Sequence, residues 1–163
     1  MKKTLTVNLG GTIYRIDEDA YNWLDTYLTS AKELVGYECY VSCDYEKNFA
    51  EGKFSVIIIK NGEVVIKEKN HIYCASKAVV IVEAILFMMQ KCKDADIITF
   101  HSEYLKNYFW FLDKVRKANK VTGRDYLSQY KTLKKDTEVI FDLTTWFKRN
   151  DYDNEVEKML GDN

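Results

Sequence analysis

The chain has 163 residues, of which 47% are apolar and 14% aromatic, so it holds enough apolar surface to fold around one core with a small appendage. That composition excludes a disordered chain. The formal net charge of −1, with 30% charged residues, excludes a globally basic nucleic-acid binder, and any phosphate contact needs a local patch. Cys39, Cys43, Cys74 and Cys92 lie in apolar or periodic stretches with no export signal ahead of them, as reduced thiols of a cytoplasmic protein would. The longest apolar run, AVVIVEAILFMM at 78–89, contains Glu83 and is too short to span a bilayer.

In chain order, TLTVNL at 4–9 and TIYRI at 12–16 alternate with period two around Gly10-Gly11 and predict a hairpin. Asp17 or Asp19 is placed to cap a following helix, whose apolar face includes Ala20, Trp23, Leu24, Tyr27 and Leu28. This ββα unit, residues 1–35, is too small to hide that face alone. Trp23, Leu24, Tyr27 and Leu28 are therefore expected to pack across a homodimer interface, against another protein, or onto the rest of the chain.

Gly36 ends the helix, and residues 36–163 form the second expected domain. A strand is predicted over 37–44, and KFSVIIIKNGEVVIKEK supplies two more, joined at Asn61-Gly62 by a two-residue hairpin turn. Residues 75–91 are apolar nearly all round and predict a buried helix. A short strand follows at 94–101, then a helix capped by Ser102, a helix over 123–134, a strand over 138–145 and a helix over 153–160. The fold class is α/β or α+β, with the order β-β-β-α-β-α-α-β-α around a mixed five-stranded sheet.

That order resembles the ribonuclease H family, and five stretches carry the resemblance over residues 37–161. YVSCDYEKNFAEGKFSVIIIKNGEVV is similar to the family's first hairpin. CASKAVVIVEAILFMM is similar to its central helix, and IITFHSEYLKNYF to its strand-to-helix step. KANKVTGRDYLSQY resembles a Lys-Ala-Asn-Lys stretch of one bacterial branch, and FKRNDYDNEVEKML the family's C-terminal end. Activity in the family rests on four carboxylates holding two magnesium ions about 4 Å apart. The resemblance places those four positions at Ser42, Lys77, His101 and Lys158, with the family's loop histidine near Lys148. The formal site charge thus moves from about −4 to about +2; at an effective dielectric near 20, each unit pair at 5 Å is worth roughly 3 kcal/mol. Magnesium also wants oxygen ligands, which lysine lacks. The resemblance therefore implies a catalytically inactive member, without metal or other cofactor, that acts as a binding or assembly module.

The alternative is a metal-dependent nuclease whose acids have moved, using Asp44, Glu103, Asp153 and Glu157. Electrostatic balance favours those acids pairing with Lys77 and Lys158 instead. Cys39, Cys43, His71, Cys74 and His101 fit no zinc spacing, and a Cys43–His101 nucleophilic pair lacks an orienting group. The aromatic run YFWF at 108–111 offers ring faces for stacked bases, but at helical spacing its simpler assignment is core. A basic stretch, Lys114, Arg116, Lys117, Lys120 and Arg124, continuing to Lys131, Lys134 and Lys135, is a candidate phosphate contact. Its simpler assignment is a solvated face balanced by Asp113, Asp125 and Asp136. Separately, KKTLTVNLGGTIYRIDEDAYNWLDTYL at 2–28 resembles the N-terminal segment of PspC-domain proteins of Bacteroidetes, which implies a portable interaction module. The membrane segments that follow it there have no counterpart here, so no membrane role is expected.

Overall fold

The computed structural model describes residues 4–9, 12–23 and 34–161. Its contacts divide the chain into a unit ending at Leu34 and a second beginning at Val35.

In the first unit, β1 (Thr4–Leu9) and β2 (Thr12–Asp17) pair antiparallel from Thr4 opposite Asp17 to Leu9 opposite Thr12. Residues 18–23 are helical. Of the two candidate caps it is Asp17 that acts, accepting the Ala20 amide at 2.8 Å. Trp23 lies on this helical segment; Leu24, Tyr27 and Leu28, the rest of the expected partner face, fall outside the described residues.

The second unit is a mixed five-stranded sheet in the order β5-β4-β3-β6-β7. β3 (Gly36–Glu46), β4 (Glu51–Lys60) and β5 (Glu63–Tyr73) run antiparallel as a meander, while β6 (Ile97–His101) lies parallel to β3 and β7 (Glu138–Asp142) parallel to β6. This is the arrangement expected of a ribonuclease H-like sheet. The β4–β5 turn follows from Asn61 and Gly62, both at positive φ (50° and 83°), which suits the twist of a tight hairpin.

Both faces of the sheet centre are covered, so β3 and β4 read as nearly continuous apolar runs. Tyr37, Cys39, Val41 and Cys43 face the main core beneath α1 (Lys77–Lys91). Tyr40 faces the other side, where it clusters with Ile57, Ile59 and Val156 beneath α4 (Asp151–Gly161). Buried Ser42 and Ser55 are cross-strand partners on that second side, and the Ser55 hydroxyl donates to the Val156 carbonyl of α4. Two small side chains there let the helix backbone come close to the sheet.

Several boundaries differ from the expectations, each for a local reason. Ser102 does not cap a helix: its hydroxyl accepts the Tyr104 amide in a local turn, and α2 (Tyr108–Thr122) begins behind Asn107, whose side chain accepts the Trp110 amide. Gly123, at φ 71°, terminates α2, so α3 (Tyr126–Lys134) starts later than 123, capped by Asp125. β7 stops at Asp142, whose carboxylate caps a 3-10 turn over Leu143–Trp146. In the run 108–111 only Phe111 is buried, while Phe109 is 76% exposed and Trp110 39%; the expectation that this run is core fails for three of its four residues. It lies at the start of α2, where one side chain per turn reaches inward.

Two backbone positions give opposite predictions. A Cβ on Gly52 would lie 2.3 Å from Val80 Cγ2 of α1, so Gly52→Ala should destabilise the chain by about 1–3 kcal/mol. Ala50, by contrast, is held at φ 48°, so Ala50→Gly should stabilise it by about 1 kcal/mol. Urea denaturation of both variants against the parent checks the pair of signs.

Candidate functional site

β6 pairs with β3 only as far as Tyr40 opposite His101, so Ser42 lies just past the carboxyl end of β6. A crevice at the carboxyl ends of parallel strands is where open α/β sheets bind ligands. Here it is a cleft of about 680 Å³ lined by Lys77, Glu103, Tyr104, Trp146, Phe147 and Arg149.

Two of the four positions that resemble the ribonuclease H site meet at Tyr104. Its hydroxyl donates to the Cys43 carbonyl at 2.8 Å, with the side chains of Ser42 and Glu103 flanking the phenol. The Lys77 ammonium sits 4.5 Å above the ring, a cation–π contact made from the first residue of α1. Burial first, and then the nearby Glu103 carboxylate, push the Tyr104 phenol well above its usual range, so it is a neutral donor.

The third position, His101, is built into the sheet rather than the cleft. Its ring is buried and stacks on Tyr40 with centroids 4.2 Å apart and planes 8° from parallel. Its Nδ1 is 3.0 Å from the Asp142 carboxylate on β7, and its Nε2 is 3.3 Å from Glu38 on β3. Only a ring protonated on both nitrogens donates to both carboxylates. Burial pushes the Asp142 carboxyl up, but the Thr144 amide and hydroxyl, together with His101, hold it below the usual carboxylate value. The two acids lie on opposite edges of the ring and cannot converge on one ion. The fourth position, Lys158, is exposed in the last turn of α4.

The candidate relocated acids are not brought together. Glu103 and Glu157 both bind Arg149, at 3.1 and 2.5 Å, and the same guanidinium donates to the Asn154 side chain and the Asp153 carbonyl. These acids therefore pair with Arg149 and not, as expected, with Lys77 and Lys158. Asp153 is buried as the inner half of a capping box: it accepts the Asn150 amide at 2.9 Å, and its own amide donates to Asn150 Oδ1 at 3.0 Å. Asp44 accepts the Tyr45 amide and lines a different depression with Glu46, Glu51, Lys53, Lys69 and His71. Among the described residues no three of His, Cys, Asp and Glu are grouped to hold a metal ion.

The cysteine readings are separated by the sheet. Cys39 and Cys43 face α1, on the opposite side from His101, and Cys39 lies 4.0 Å from Cys92. Burial pushes the Cys43 thiol up to about 12, which leaves it a protonated, poor nucleophile. His71 pairs with Glu51 instead of a thiol. Within the basic stretch, Arg116 and Lys117 are bound to Asp113, one of the acids the solvated-face assignment names, while Arg124 reaches Glu83 of α1, which it does not name. Lys114 and Lys120 make no ion pair among the described residues.

Arg149 is the residue that sequence reasoning missed. It lies in FKRNDYDNE, two residues after Phe147 and directly before Asn150, and the one available signal was a cation beside a helix cap rich in acids. The chain matches no protein-family model and no curated protein. No helix among the described residues is long and apolar enough to cross a membrane.

The Asp142 contact has a pH signature. Because its carboxyl is held below the unfolded-state value near about 4, it contributes stability above that pH and loses the contribution as pH falls through the folded value. The stability difference between the parent and Asp142→Asn should be largest at neutral pH and shrink in acid, as read by urea denaturation across a pH series. A difference that grows in acid contradicts the assignment.

Proposed function

We propose that this chain is a non-catalytic, ribonuclease H-like binding module. The observation that supports this reading best is the fate of the acids around the cleft. The positions that resemble the family's metal ligands are Ser42, Lys77, His101 and Lys158, and the carboxylates nearest them are engaged by Arg149 and His101. Bringing a dication there means breaking the Arg149 ion pairs and approaching Lys77, while Asp44 lines a different depression. What remains is a cleft of aromatic and cationic side chains suited to holding a ligand.

The reading extends to the rest of the chain as follows. The N-terminal hairpin and helix serve as the protein-interaction module, through Trp23 and the residues beyond it, and support a homodimer or a heterologous complex. The location is cytoplasmic.

Purified chain should leave an RNA–DNA hybrid intact in Mg²⁺ and in Mn²⁺. Ser42→Asp alone should not create activity, since Lys77 and Arg149 still occupy the cleft. Metal-dependent turnover by the parent that disappears in Asp44→Ala would overturn the proposal and establish a nuclease with displaced acids.

A further inference from the structure

Trp146 joins the cleft to a second depression. Its indole meets that of Trp110 edge-on, with centroids 5.3 Å apart and planes at 75°. Trp110, with Phe109, Asp113 and Lys114, lines a hollow of about 260 Å³. Phe147, 81% exposed, projects beside Trp146, and Phe109 beside Trp110. The result is a continuous aromatic strip from Tyr104 across the start of α2. Aromatic rings left so exposed in a well-packed unit mark an interaction surface.

The charges along the strip decide what it fits. Lys77, Lys106 and Lys114 make no ion pair among the described residues. The Lys106 ammonium lies 4.0 Å from the Trp146 ring centre and 4.9 Å from that of Trp110. The acids nearby are already paired: Asp113 with Arg116 and Lys117, which hold its carboxyl below the usual range, and Glu103 with Arg149, which it shares with Glu157. An apolar peptide laid here would strip water from three ammonium groups without returning a partner. A cationic ligand would be repelled. A duplex keeps its base faces stacked inside and could offer the rings nothing. A chain of unstacked bases linked by phosphates meets both demands.

We propose that this strip binds single-stranded nucleic acid, stacking bases on Trp146, Phe147 and Phe109 and pairing phosphates with Lys77, Lys106 and Lys114. The inference rests on the reading of the cleft as a binding site without chemistry, and names its ligand. On binding, Lys106 turns from the indoles to a phosphate and leaves the Trp146 face to a base.

The test uses the full chain and a fluorescein-labelled oligothymidylate of about 12 nucleotides, with a duplex of equal length as comparator. Anisotropy should show the single strand bound about tenfold or more tightly than the duplex, with tryptophan emission quenched on binding. Phe147→Ser, at an exposed position that does not threaten folding, should weaken binding about fivefold or more, and Lys77→Gln should flatten its salt dependence. Equal affinity for the duplex, unquenched tryptophan or an unchanged Phe147→Ser would overturn the proposal. So would self-association by light scattering that Phe147→Ser abolishes without any oligonucleotide binding. Gel analysis of the same samples separates the two readings: a cut strand would sink the non-catalytic reading and leave the binding surface standing.

Discussion

The docking of α4 on the sheet is the contact from which the cleft takes its shape. Val156 packs with Tyr40, Ile57 and Ile59, and the helix backbone comes close enough for Ser55 to reach a main-chain carbonyl. Both helix ends are tied down. At the start, the Asn150–Asp153 box satisfies orphan amides, and Asn150 also donates to the Tyr40 hydroxyl. At the end, Lys53 and Lys69 donate to the Leu160 carbonyl, where cations complement the helix dipole. A helix pinned in this way fixes its cap residue Asn150 and, directly before that, Arg149.

Arg149 carries the electrostatic work of the cleft, while His101 ties neighbouring strands of the sheet together. Each side chain sits between two carboxylates drawn from different elements: Glu103 and Glu157 for the arginine, Glu38 and Asp142 for the histidine. Glu103 and Glu157, which would repel one another if left bare, are bridged by the Arg149 guanidinium. The arrangement fills with side chains the electrostatic role that a metal pair fills in an acidic site, and it leaves Lys77 and the aromatic rim facing the open side.

Much of the sheet was legible in the sequence because its signals are local. Asn61-Gly62 dictates a tight turn through backbone conformation alone, and 77–91 is buried because it has no polar face to turn outward. The strand-helix order followed from such signals, and the resemblance supplied an order for the sheet. What was not legible depends on tertiary approach. Glu103 and Glu157 lie 46 and 8 residues from Arg149, and no sequence spacing shows that they meet there. The exposure of Phe109 and Trp110 depends on where α2 begins, which Asn107 sets after Ser102 is diverted into a turn. Burial of Asp153 was hidden for a similar reason: an acid at a helix start looks like a solvated group until its amide partner is known.

The central claim is that Arg149 holds Glu103 and Glu157 beside the cleft and leaves neither free for a metal pair. Paramagnetic broadening by Mn²⁺ tests it most directly, with amide resonances of the intact chain followed during a titration. The account predicts weak, unsaturable broadening scattered over surface acids, with no preference for Ser42, Lys77, His101 or Glu157. Selective, saturable broadening centred on those residues, accompanied by release of Glu103 and Glu157 from Arg149, would contradict it.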